Sequence, residues 1–198
     1  MSYRPITYRR CSSAPAPDGL TIAFEEADAE ALPFADGSFD AVVSTFGVMF
    51  TPHQERAAAE LLRVCKSGGR IGLSNWTPEG FIGQLFKTLG KYLPPPAGVR
   101  SSTLWGTRER LTEMFGPASV SIKTQPRYFN FRYRTPEHFV DVFKSYYGPM
   151  LQAFAALEPE KQTALRSDLL TLIARMNKAT DLTMVVPSEY LEVVITKR

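Results

Sequence analysis

Side chains that could do chemistry are few and scattered. The chain holds two histidines, His53 and His138, and two cysteines, Cys11 and Cys65. Two thiols form neither a disulfide framework nor a metal set, and both read as spectators. The more telling stretch is Asp28-Ala29-Glu30-Ala31-Leu32-Pro33-Phe34, followed by Asp36-Gly37 and then Phe39-Asp40-Ala41-Val42-Val43-Ser44. An acidic residue at the end of an extended run, a Leu-Pro-Phe turn, an Asp-Gly turn and an apolar strand have the layout of the middle of a nucleotide-binding domain.

The flanking elements must hold these residues in place. Thr21–Ala27 is expected as a strand, with Ile22 and Phe24 on one face. Phe39 to Ser44 is expected as a strand buried on both faces. Thr51-Pro52-His53-Gln54 reads as a helix start, with threonine as N-cap, proline first and glutamine completing a capping box. Ala58, Leu61, Leu62 and Cys65 recur at helical spacing, and Gly68-Gly69 is expected to stop the helix. Ile71 to Asn75 is a further strand, which makes a βαβ crossover and a sheet with parallel strands.

Beyond it, a helix is expected from Pro78 to about Lys91 and a short one from Thr107 to Phe115. Val120–Tyr133 reads as a long strand or hairpin. Residues 136–178 read as a helical insertion, and Val185–Thr196 as a last strand. The organisation implied is an irregular segment 1–20 and one domain over 21–198, of α/β class.

Composition sets outer limits. The chain has 198 residues, 44% of them apolar and 22% charged, enough for a sizeable core. A net charge of +3 is too mild to argue for nucleic acid. The one dense basic group, Arg127, Arg132 and Arg134, alternates with aromatics as a solvated strand face would. No run approaches the 18 or so apolar residues of a membrane span, and residues 1–20 lack a signal-peptide centre, so a cytoplasmic protein is expected.

At Asp28-Ala29-Glu30-Ala31-Leu32-Pro33-Phe34, Ser38-Phe39-Asp40 and Leu61-Leu62-Arg63-Val64-Cys65-Lys66-Ser67-Gly68-Gly69-Arg70, the chain resembles the class I S-adenosylmethionine-dependent methyltransferases. The likeness is closest to the ubiquinone/menaquinone-biosynthesis type. It implies a Rossmann-like sheet in the order 3-2-1-4-5-7-6, with the cofactor across the carboxyl ends of its strands. It also implies roles residue by residue. Asp28 would accept a hydrogen bond from the adenine amino group, and Ala29 would offer its backbone to the ring. Thr45, Phe46 and Gly47 would lie beside the methionine portion of S-adenosylmethionine. Asn75, Trp76, Tyr146 and Tyr147 would face a small-molecule methyl acceptor. Read alone, Asp28 has a second reading as a cap for the turn after it, and Phe46, Met49 and Trp76 have one as core.

The chain departs from the family in lacking an acidic residue followed by Gly-x-Gly-x-Gly, whose glycines admit the cofactor to the backbone. The second strand, with its ribose-binding carboxylate, is unreadable as well. Shifting the implied codons by one base lets Pro5 through Pro17 encode Asp-His-Val-Pro-Ala-Leu-Leu-Glu-Arg-Ala-Arg-Ala, which suits that second strand and its helix. Residues 1 to about 18 are therefore expected to be an out-of-frame reading of an N-terminally truncated methyltransferase sheet. Three functional classes follow: a small-molecule methyltransferase, a non-catalytic remnant of one, and, disfavoured for want of a dinucleotide fingerprint, a nicotinamide-dependent enzyme. His53 and the Tyr146-Tyr147 pair are the candidate bases.

Overall fold

A computed structural model describes residues 23–198. In chain order the elements are β1 (Phe39–Thr45), α1 (Gln54–Val64), β2 (Cys65–Trp76), α2 (Phe81–Tyr92) and α3 (Arg108–Phe115). Then come β3 (Ser119–Tyr133), α4 (Pro136–Tyr146), α5 (Gly148–Ala156), α6 (Pro159–Met176) and β4 (Met184–Lys197). The four strands form one mixed sheet in the order β1-β2-β4-β3. β1 runs parallel to β2, while β4 is antiparallel to both β2 and β3. This is a Rossmann-like α/β arrangement, and its order matches the 4-5-7-6 half of the sheet expected from the sequence. The insertion before the last strand is present as α4, α5 and α6.

Local sequence explains most of these boundaries. Thr107 caps α3 and Thr135 caps α4, each side-chain oxygen accepting the backbone N–H three residues on. Pro136, Pro149 and Pro159 sit in the first turns of α4, α5 and α6, where a missing N–H costs nothing. β3 is one uninterrupted strand, paired to β4 from Ser119 to Tyr133.

Four expectations need correction. Residues 23–27 are irregular, so the described part of Thr21–Ala27 is not a strand. Thr51 does not cap α1, because its hydroxyl and N–H both bond the Val48 carbonyl and close a 3-10 turn (Val48–Phe50). His53 takes the cap position instead, and Glu30 supplies the missing acceptor by taking the His53 N–H at 2.7 Å. Gly68-Gly69 does not stop a helix; α1 ends at Val64, and the glycines form a bulge in β2. Gly68 has φ +76°, and a side chain on Gly69 would meet the Asp40 carbonyl at 2.9 Å.

The fourth correction concerns β1. It is the edge strand of the described sheet, and Val43 is 73% exposed. The core lies on the other strands: Ile71 and Leu73 of β2, Val193 and Ile195 of β4, and Trp105, Leu111 and Phe115 are all buried. Burying such side chains is worth about 1.5–3 kcal/mol each, which holds the sheet to its helices.

Candidate functional site

Two strand ends meet at Phe46. The residue has left the carboxyl end of β1, and its N–H donates to the Ser74 carbonyl of β2 at 2.9 Å. Its φ of 59° makes it the one non-glycine in the left-handed region among the described residues. A bulky side chain there is strained, and such strain gathers at functional sites. The strain aims the ring at Trp76, on which it stacks at 4.1 Å and 16°. Tyr190 of β4 meets both rings edge-on.

Around this stack lies a cavity of about 200 Å³, walled by Phe46, Phe50, Trp76, Phe131, Phe143 and Tyr147, with Ile82 as its aliphatic member. Tyr147 enters from the break between α4 and α5, its ring parallel to Phe86 and 4.8 Å from Phe143. Its hydroxyl is buried without a partner, and burial pushes its pKa well above the ordinary tyrosine value. Tyr146 does not join it: the side chain is 85% exposed. Tyr147 has extended backbone at the junction (φ −93°, ψ 110°), which turns its side chain away from the direction of Tyr146, the last residue of α4.

Asn75 is fully buried, yet alternation along β2 puts it with Ile71 and Leu73, opposite Trp76. Neither Nδ2 nor Oδ1 has a partner. Thr45 is exposed at the end of β1. Gly47 is open as well: an added Cβ would meet nothing closer than the Ser44 hydroxyl at 3.7 Å.

The Asp28 loop is held from α1. Asp28 is exposed, and its Oδ1 accepts the Glu30 N–H at 2.9 Å, so the carboxylate caps its own turn. Arg63 donates to the carbonyls of Leu32 and Phe34, to Asp36 and, through two nitrogens, to Glu60. Glu60 in turn accepts the Leu32 N–H at 2.7 Å. Glu30 also faces His53 Nδ1 at 2.8 Å, which commits that histidine to the loop. Ala29, Ser44 and Gly47 line an apolar groove of about 460 Å³ that runs between this loop and β1.

These residues fit one end of the implied cofactor. An exposed carboxylate on a pinned loop, an open glycine and an apolar groove suit an adenine ring. Sequence reasoning had not found Arg63, Glu60 and Glu30 as loop supports, although Glu60 and Arg63 stand one helical turn apart. It also missed Tyr190, which the β2–β4 pairing sets opposite Trp76, and Phe131 and Phe143, which the β3–β4 pairing and α4 bring to the same cavity.

Comparisons with known proteins agree with this architecture. Residues 3–73 match the methyltransferase domain family Methyltransf_11, so the segment read above as out of frame falls partly within the match. An uncharacterised protein of Mycobacterium tuberculosis is 40% identical over 172 residues, covering 85% of this chain and 63% of that protein. The demethylmenaquinone methyltransferase of Thermus thermophilus is 38% identical over 97 residues, 48% of this chain and 44% of that enzyme. The YcgJ protein of Bacillus subtilis shares the fold, with a TM-score of 0.52 at 19% identity over 91% of this chain and 73% of that one. The chain thus spans 63% of the length of the mycobacterial relative it matches. Over residues 3–73 the chain is thus similar to a methyltransferase domain family, over 97 residues to a demethylmenaquinone methyltransferase, and its described residues share the Rossmann-like fold of the solved protein.

Proposed function

We propose that this domain transfers a methyl group from S-adenosylmethionine to a small-molecule acceptor held at the carboxyl ends of β1 and β2. The observation that carries the reading is Phe46, strained into φ 59° at the end of β1 and stacked on Trp76 against an apolar cavity. S-adenosylmethionine would supply an activated, sulfonium-bound methyl; the acceptor's lone pair would take the methyl carbon, the carbon–sulfur pair would remain on sulfur, and a proton carried by the acceptor atom would pass to water. The protein's own work is then alignment and exclusion of water. Asp28 and Ala29 would hold the adenine, with Thr45, Phe46 and Gly47 beside the rest of the cofactor. Trp76 and Tyr147 would face the acceptor, and Asn75 would support the strand end from the opposite face. Burial raises the pKa of the Tyr147 hydroxyl, which stays protonated at neutral pH and so would not take the acceptor's proton.

The 198 residues contain no Gly-rich turn, and each missing bond to a charged group is worth about 1.5–3 kcal/mol. Affinity for the cofactor is therefore expected in the millimolar range or weaker. Calorimetric titration with S-adenosylhomocysteine tests the reading. Weak binding that Asp28→Asn reduces further and Asp36→Asn leaves alone would support it, since asparagine preserves the turn at 28. No saturable binding at any accessible concentration would favour the second reading, a non-catalytic remnant.

A further inference from the structure

We infer that the outer edge of β3 takes an extended, acidic peptide segment of a partner protein as a further strand. The surface is separate from the aromatic cavity, and its use needs no cofactor.

Among the described residues β3 closes one side of the sheet, with β4 inside it and no strand beyond. Antiparallel pairing turns the main-chain groups of alternate residues inward and outward. Two observations say which set faces out. The Thr124 carbonyl accepts from the Arg108 guanidinium at 3.4 Å, and Pro126, which has no N–H to give the ladder, suits an outward position. Tyr128, Asn130 and Arg132 follow in the same phase. Their N–H and C=O groups face outward and have no main-chain partner there among the described residues. Residues 125–130 are all exposed, so this stretch is open on both faces as well as along its edge. Phe129 is 52% exposed on one face and Tyr128 63% exposed on the other. Large side chains left in water beside a free strand edge suit strand addition.

Charge names the partner. From Ser119 to Arg134 the chain carries Lys123, Arg127, Arg132 and Arg134 and no carboxylate. The nearby carboxylates lie one strand inward, on β4. Glu192 meets Arg127 at 3.4 Å, and Glu189 accepts the Tyr128 hydroxyl at 2.7 Å. Lys123, Arg132 and Arg134 make no ion pair among the described residues. A second copy of this edge would bring the same cations, whereas an acidic strand brings their counter-charges. A nucleic acid would bring the charge but no main-chain ladder for Tyr128, Asn130 and Arg132. Arg132 shares a face with Tyr128 and Phe129 lies on the other, so a fitting segment alternates acidic and apolar residues.

The probe is the acetylated and amidated heptapeptide Asp-Val-Glu-Val-Glu-Val-Asp, titrated by NMR into the whole 198-residue chain. At low salt it is expected to bind about fivefold more tightly than its Asn/Gln twin, a gap that about 1 M salt closes. Amide hydrogen exchange should slow at Tyr128, Asn130 and Arg132. Arg127, Phe129 and Phe131, whose N–H groups face β4, should not change. Asn130→Pro removes an outward N–H and leaves the ladder to β4 intact, so it should abolish binding in a folded protein. Arg132→Gln, which leaves the edge alone, should weaken the acidic peptide about threefold and its twin not at all. The proposal is overturned if the acidic peptide does not bind, if its twin binds as tightly, or if the protected amides lie elsewhere. It is equally overturned if an oligothymidylate binds more tightly than the peptide, or if a dimer of the chain protects the same amides without it.

Discussion

Phe46 and Trp76 stack 4.1 Å apart because the first is held at φ 59° where β1 ends. The left-handed conformation costs an L-residue about 1–2 kcal/mol, which the stack and the Ser74 hydrogen bond must offset. Phe46→Ala removes the stack and keeps the strain; Phe46→Gly removes both. The glycine variant is expected to be the more stable of the two by about 1 kcal/mol in urea unfolding, reversing the usual order outside such positions. Equal stabilities would mean the conformation is not retained once the ring is gone.

Asn75 offers an opposite case. Its amide is fully buried and unpartnered on the helix-covered face of β2. Asn75→Leu, close in size, should raise stability by about 1–3 kcal/mol by removing an unsatisfied polar group. The aromatic cavity should be unaffected, because the side chain lies across the sheet from it. A destabilised Asn75→Leu would point to an ordered water satisfying the amide.

Acid should release the Asp28 loop. The hydrogen bond from Arg63 holds the Glu60 carboxyl below its ordinary value of 4.5, and the Leu32 N–H adds to the effect against a desolvation term. A carboxyl depressed on folding stabilises the fold fully above its unfolded value and loses that contribution as pH falls through the depressed one. Glu60→Gln should therefore melt about 2–4 °C below the parent at pH 7, with the gap closing below about pH 4. A gap independent of pH would assign the effect to packing.

Two glycines should respond oppositely to alanine. A Cβ on Gly106 would sit 2.2 Å from the Trp76 carbonyl, whereas one on Gly90, within α2, would meet nothing within 4 Å. Gly106→Ala should cost about 1–3 kcal/mol by lifting its turn off the end of β2. Gly90→Ala should gain about 0.5–1 kcal/mol through helix propensity. Denaturation midpoints of the two variants measure both.

How far the sequence could be read follows from the range of the interactions. α2, α3, α4 and α6 were legible because caps, prolines and helical spacing lie within a few residues of one another. The start of α1 was misread because its true partner, Glu30, lies 23 positions from His53. Gly68-Gly69 obeyed the local rule for a helix stop, but the glycines answer to the Asp40 carbonyl across the sheet. The grouping of Trp76 and Tyr147 was anticipated only through the family resemblance. Nothing local announces Phe131, which reaches Trp76 because β3 pairs with β4 and β4 with β2.

That ladder has a further consequence for Phe131. It pairs with Val186, and β4 is fastened on both sides of that point. On one side the Ser188 hydroxyl accepts the Ile82 N–H; on the other, the Val185 N–H is taken by Asn177 and its carbonyl by the Lys178 N–H. The ribbon is thus bolted at two points with Phe131 between them, so the backbone that carries this wall is held in place. Selection by such a wall works as a fixed gauge does. A guest that fits it enters with little backbone ordering left to do.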